Sequence, residues 1–166
     1  MKIMKIMLSI LCFIILITSF AGCKSVDYEV ERVATYRVVS DPYSYSICIA
    51  EKDLKVVVYD VTSYGLNNII DDPIGLSLSS REHIKDEYTI SQDEWDNVVN
   101  ILEKNRFMDM SSNLDAEGVT DGCVYYIDVT LKDKSHTVGG YEPNYAGKEG
   151  QRFMTLFNEV GMNLHW

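Results

Sequence analysis

Ser91-Gln92-Asp93-Glu94-Trp95-Asp96-Asn97-Val98-Val99-Asn100-Ile101-Leu102 is the stretch from which the fold can be read. Ser91 and Glu94 form a capping box, each side chain placed to satisfy the other residue's free backbone N–H at a helix start. Trp95, Val98, Val99 and Leu102 then recur at i, i+3, i+4 and i+7, one stripe of a helix with 3.6 residues per turn. Asp93, Glu94 and Asp96 sit in its first turns, with Lys104 and Arg106 near its end, so both ends match the helix macrodipole. One apolar stripe on an otherwise polar helix needs a sheet to pack on.

That sheet is legible downstream. Residues 123–131 alternate, with Cys123, Tyr125, Ile127, Val129 and Leu131 on one face and Tyr126, Asp128 and Thr130 on the other. Lys132-Asp133-Lys134 turns the chain, residues 135–139 return as a hairpin partner, and Gly140-Tyr141-Glu142-Pro143 ends the pair. Phe153, Leu156, Phe157 and Val160 then mark a second helix, with Gly161 at the position of a C-terminal cap.

Upstream, residues 28–39, 43–50 and 54–61 are rich in β-branched and aromatic side chains and read as strands. Asp41-Pro42 and Glu51-Lys52-Asp53 are the turns of a meander. Residues 62–83 dissolve into Ser, Asn, Asp, Gly and Pro; so long a segment is either a functional loop or hides an edge strand around residues 76–79, and typical loop lengths favour the strand. The order of elements predicts an α+β fold, an antiparallel sheet of about five or six strands with two helices packed on it. Residues 28–166 form this single domain.

The residues before it have another purpose. Lys2 and Lys5 precede an apolar run over residues 8–20 that is relieved only by Ser9, Thr18 and Ser19, and no acid occurs before Cys23. A charged start and a short apolar stretch are the layout of a signal peptide, and the run is too short for an ordinary membrane-spanning helix, which needs about 20 apolar residues. Phe20-Ala21-Gly22-Cys23 closes it and resembles the lipobox of bacterial lipoproteins, with Phe20 where leucine is commoner. The resemblance implies cleavage between Gly22 and Cys23, a diacylglyceryl group on the Cys23 thiol and an acylated new amino terminus. Two or more acyl chains suffice for stable anchoring, each buried methylene contributing about 0.8 kcal/mol. Residues 1–22 are then the signal peptide and 23–27 a lipidated tether on the extracytoplasmic face of the cell membrane. The remaining order of helix, Asp-Gly turn, strand, hairpin and Tyr-x-Pro resembles uncharacterised small lipoproteins of monoderm bacteria, a resemblance that brings no activity with it.

The chain carries 15 basic and 25 acidic residues; losing Lys2 and Lys5 leaves 13 against 25, a formal charge of −12. Such a surface repels phosphate backbones, so nucleic acid is not an expected partner, and it gives no electrostatic adhesion to anionic lipid. The lipid on Cys23 must hold the membrane, and a cell-envelope protein or peptide is the partner class left open. Cys12 leaves with the signal peptide and Cys23 is lipidated, so Cys48 and Cys123 are the pair that an extracytoplasmic setting would allow to form a disulfide.

Candidate chemistry is sparse. Asn113, Asp115 and Glu117 alternate before Gly118, followed by Asp121-Gly122, and resemble the start of a calcium loop. Val124 stands where an EF-hand needs a bidentate glutamate, so neither this motif nor any other predicts a bound cofactor. His83, His136 and His165 are far apart, without a zinc-site spacing. A Cys123 nucleophile with His136 as base requires the two to meet across the hairpin. Asp71-Asp72 and Asp86-Glu87 are adjacent acids that point to different sides of the chain. There is no nucleophile elbow, P-loop or dinucleotide fingerprint. The eleven tyrosines read first as good strand formers with their hydroxyls at the solvent edge; Tyr126 beside Asp128, with Tyr141 and Tyr145, is the candidate recognition surface. Three readings follow: a non-enzymatic binding or interaction module, a small metal-dependent or hydrolytic enzyme built on the acidic loop, and an inhibitor or immunity-type surface protein.

Overall fold

The apolar stretches of the N-terminal half become three long strands because each can bury both of its faces. A computed structural model describes residues 28–40, 43–62 and 84–166. The elements are β1 (Val30–Ser40), β2 (Tyr43–Glu51), β3 (Lys55–Thr62), β4 (Ile84–Thr89), α1 (Gln92–Lys104), β5 (Cys123–Leu131), β6 (Ser135–Tyr141) and α2 (Gly147–Asn163). Short 3-10 turns occupy Phe107–Asp109 and Pro143–Tyr145. The six strands form one sheet in the order β4-β3-β2-β1-β5-β6, antiparallel throughout. The protein is thus α+β, one antiparallel six-stranded sheet with two helices.

Both helices lie on one side of the sheet. Val33, Cys48, Ala50, Val56, Val58, Ile127, Val129 and Val138 face Trp95, Val98 and Leu102 of α1 and Phe153, Leu156 and Val160 of α2 in one buried cluster. On the opposite side, Ala34, Tyr36, Tyr45, Ile47, Ile49 and Tyr59 form a second buried cluster. Strands apolar on both faces lose the alternating pattern, which is why residues 30–61 read as near-continuous apolar runs. Fully burying one such side chain stabilises the fold by roughly 1.5–3 kcal/mol before entropy is counted.

Both halves of the capping box form. The Ser91 hydroxyl accepts the Glu94 N–H at 3.3 Å, and Glu94 Oε2 accepts the Ser91 N–H at 2.7 Å. The helix stops after Asn105, where Arg106 turns left-handed with φ 50°.

Two expectations need correction. The edge strand that the structure describes is β4, at Ile84–Thr89, which the sequence reading did not include; the strand expected at 76–79 lies outside the described residues. Exposed Lys85, Asp86 and Glu87 make β4 look like loop in sequence, and charge is what keeps a free strand edge from pairing with other chains. Gly161 is not a cap: α2 runs to Asn163, and buried Gly161 accepts the Trp166 N–H at 3.0 Å as the chain folds back. Cys48 and Cys123 are both free thiols. Cys48 sits opposite Thr35 and Cys123 opposite Val39 on the two flanks of β1. That is about 9–10 Å across the sheet and about 13 Å along it, well past the roughly 7 Å Cα limit for a disulfide. Gly22, Cys23, His83, Asp71-Asp72 and the Asp41-Pro42 turn also lie outside the described residues.

Candidate functional site

The acidic loop is used as structure. Residues 112–116 run alongside the free edge of β6: Leu114 N–H bonds to Gly139 O and Ala116 N–H to Tyr141 O, both at 2.8 Å. Asn113 Oδ1 accepts the Asp115 N–H at 2.8 Å, and Asp115 Oδ1 accepts the Tyr141 N–H at 2.7 Å. A Cβ on Gly140 would come within 2.6 Å of that Asp115 oxygen, so the close approach requires glycine. Two of the four candidate metal ligands are therefore committed to backbone donors, while Glu117 and Asp121 stay exposed. Among the described residues no three His, Cys, Asp or Glu side chains converge on a metal position.

The candidate tyrosine surface is dispersed. Tyr126, Asp128 and Tyr141 share the sheet face away from the helices, but Asp128 is only 1 % exposed. Its carboxylate accepts the Thr137 hydroxyl at 2.8 Å and Arg32 Nη2 at 3.3 Å, which makes it a buried structural acid. The Tyr126 ring covers Gly139, where a Cβ would meet Cδ1 at 2.5 Å. Burial raises the Tyr126 hydroxyl's pKa above its ordinary value, as does the nearby Asp115 charge. Tyr145, 68 % exposed on the turn after β6, is the one open member of the set.

The two histidines that are described hold the fold. His136 pairs with Val129 in the hairpin, so about 20 Å of strand separates it from Cys123 and no dyad forms. Its Nε2 lies 3.0 Å from Met110 O and its ring meets Phe107 edge-on. His165 Nε2 lies 2.6 Å from Glu94 Oε1.

What the fold does assemble is a groove of about 560 Å³ between α2 and the upper ends of the strands, lined by Arg37, Ser46, Lys85, Phe157, Met162 and Trp166 with Asn158 and Gly161. Arg37 on β1 lies between Ser46 on β2 and Tyr125 on β5 in the sheet register. The aromatic wall is a chain of edge-on rings: Tyr125 to Phe157 at 5.2 Å and Phe157 to Trp166 at 5.5 Å. Met162, 68 % exposed, forms part of the rim. The wall is pinned from behind: Tyr88 donates its hydroxyl to Leu164 O, buried Leu164 fills the core, and Trp166 N–H bonds to Gly161 O. Lys85 is 3.6 Å from Asp60, and Glu142 Oε1 is occupied by the Cys123 N–H at 2.5 Å. Arg37 makes no ion pair among the described residues, and no carboxylate side chain is among those that line the groove.

No family model matches the chain, and no curated protein is significantly similar to it. The site must be read from its own geometry. A larger, carboxylate-rich depression of about 800 Å³ lies at the other end of the strands, bordered by Tyr28, Glu29, Asp96 and Glu103. There Glu103 Oε1 accepts the Tyr28 N–H at 2.8 Å, so the acid fixes the start of the fold. No helix among the described residues is long and apolar enough to cross a membrane.

The groove was not evident in the sequence because its lining comes from β1, β2, β4, α2 and Trp166 beyond the helix. One signal was there. Arg37 is in phase with Val33 and Thr35, so a cation stands on the core-facing side of a central strand, where a structural role alone seldom places one.

Proposed function

We propose that this protein is a lipid-anchored, extracytoplasmic binding module, fastened to the cell membrane through Cys23 and presenting the Arg37–Trp166 groove away from the bilayer. The observation that carries this reading is the direction of β1. The fold starts at Tyr28, so a fully extended tether of residues 24–27 keeps that end within about 18 Å of the lipidated residue. From Val30 to Arg37 the strand then climbs about 23 Å, at roughly 3.3 Å per residue. The start of the fold, from which the proposed tether extends, and the groove are thereby at opposite ends of β1.

The groove has the character of a binding site: concave, with an aromatic wall facing the polar side chains Arg37, Ser46, Lys85 and Asn158, and pinned before any ligand arrives. Its pieces bind and orient; they include no nucleophile paired with a base. The acidic loop that an enzymatic reading would use has Asn113 and Asp115 already engaged with backbone N–H groups.

The anchor is tested by intact mass and detergent partitioning of the protein expressed in a bacterium, wild type against Cys23→Ala. The expected wild-type product begins at Cys23, carries the mass of acyl chains and enters the detergent phase, and the variant does neither. A wild-type product that is unlipidated and free in the medium, or uncleaved, sinks the proposal.

A further inference from the structure

We infer that residues 63–83 are the occupant of the sheet face opposite the helices, packing their apolar side chains on it as a third layer. This surface is separate from the groove.

The second buried cluster is made by strands alone. Ala34 and Tyr36 come from β1, Tyr45, Ile47 and Ile49 from β2, and Tyr59 from β3, and each partly buried residue packed against them is likewise on a strand. Both helices belong to the other cluster. Yet none of these side chains is more than 9 % exposed. Side chains standing on the open face of a single sheet keep much of their surface in water, and soluble proteins seldom leave a broad contiguous apolar patch bare. A further layer must lie on this face.

Three stretches of the chain lie outside the described residues: 1–27, 41–42 and 63–83. Asp41-Pro42 is only a turn. Residues 1–22 are removed on the lipoprotein reading above, a step of the elimination that rests on that reading, and Val26 is the one large aliphatic side chain of the tether left behind. Residues 63–83 remain, and they carry Leu66, Ile69, Ile70, Ile74, Leu76 and Leu78. Asn67-Asn68, Asp71-Asp72 and Ser77 stand between these, the composition of a segment with one side dry and the other in water.

The connections put this segment at the right place. It leaves β3 at Thr62, which pairs with Ser44, and enters β4 at Ile84, which pairs with Tyr59. Both ends are thus at the rim of the cluster, and Ile84 already packs against it. Fully extended, the segment would reach about 70 Å, while β3 to β5 spans about 14 Å, so it is long enough to cross the face and return.

The test is hydroxyl-radical footprinting of the mature lipoprotein in nanodiscs, with each residue's oxidation rate compared with its rate in urea. In the wild type, Tyr36, Tyr45 and Tyr59 should be protected, the isoleucines and leucines from Ile69 to Leu78 should be protected with them at every protein concentration, and Tyr145, 68 % exposed, should not be. A variant carrying Ile69→Ser, Ile70→Ser and Ile74→Ser together should lose the protection of the three tyrosines, while Cys48 stays closed to iodoacetamide and reports that the helical side of the sheet is intact. Tyrosines as reactive as Tyr145 in the wild type overturn the inference. Protected tyrosines beside reactive isoleucines and leucines overturn it too, since something else then occupies the face; protection that fades on dilution identifies that occupant as a second copy. Tyrosines that stay protected in a variant whose Cys48 remains closed have the same meaning. If the variant unfolds, Cys48 reacts and the wild-type footprint alone decides. Retention of residues 1–22, read from the intact mass, defeats the anchor proposal by itself, and the protection of the isoleucines and leucines still decides this one.

Discussion

Glu94 closes the capping box and also meets His165 from the end of the chain. Bonds from the Ser91 N–H and hydroxyl, then the His165 contact, hold its carboxyl down to about 2 from an ordinary 4.5. A carboxyl whose folded pKa lies below its unfolded one stabilises the fold above the unfolded value, and that contribution disappears as pH falls through the folded value. Glu94→Gln keeps the cap geometry and removes the charge. Urea unfolding should show wild type more stable than this variant by a constant margin above about pH 4.5, with the margin closing toward about pH 2. A margin unchanged down to pH 2 would mean that the charge does not contribute. Cys48 tests the core in the same way: burial pushes its thiol up to about 12, so it stays protonated at neutral pH. Iodoacetamide should alkylate half-buried Cys123 well before Cys48, and Cys48 should react only once urea opens the sheet. Equal rates in the native protein would take Cys48 out of the β2 core position.

At the scale of elements, the segment 112–116 shows a sequence motif overruled by a strand edge. β6 ends the sheet and would otherwise leave N–H and C=O groups unpaired, which proteins commonly avoid by covering the edge. The Leu114 and Ala116 bonds do this, and Asp115 secures the Tyr141 N–H. Asp115→Ala should therefore cost about 0.5–1.5 kcal/mol in urea unfolding, the net worth of one hydrogen bond whose freed donor solvent can reach. The loss is expected to be the same with or without calcium. A rise in melting temperature with calcium that Asp115→Ala abolishes would restore the metal-loop reading. At the opposite edge, β4 covers β3 with a strand whose Lys85, Asp86 and Glu87 are exposed, and Lys55 pairs with Glu87 across it at 2.8 Å. Exposed pairs of that kind contribute little, so β4 is held by its backbone bonds and by Tyr88 and Ile84.

For the whole molecule, one sheet separates two buried apolar clusters, and both helices belong to one of them. Leu156 is fully buried where α2 meets the sheet. Leu156→Ala is expected to cost about 2–5 kcal/mol, the range for deleting a core leucine into a cavity. Unfolding followed by far-ultraviolet dichroism and by tryptophan fluorescence should stay coincident, as in a single cooperative unit. Separated transitions would show the helical layer leaving the sheet on its own. The groove depends on the same packing, since α2 supplies its wall and β1 and β2 its floor.

By itself the sequence determined the local elements: the capped helix at Ser91, the alternating strand from Cys123 to Leu131, the hairpin after it and the second helix at Phe153. It could do so because caps, turns and periodicity are set by neighbours a few residues apart. It also carries the lipobox resemblance, which is local in the same sense. Pairings between distant residues were decided only by the tertiary structure. Placing β5 beside β1 put Cys48 and Cys123 on opposite flanks, moved His136 away from Cys123 and buried Asp128 against Arg32. The groove belongs to that second class: Arg37, Lys85 and Trp166 share it because a strand order and a packed helix bring them together. No spacing along the chain encodes that meeting, whose physical origin is the burial of two apolar sheet faces at once.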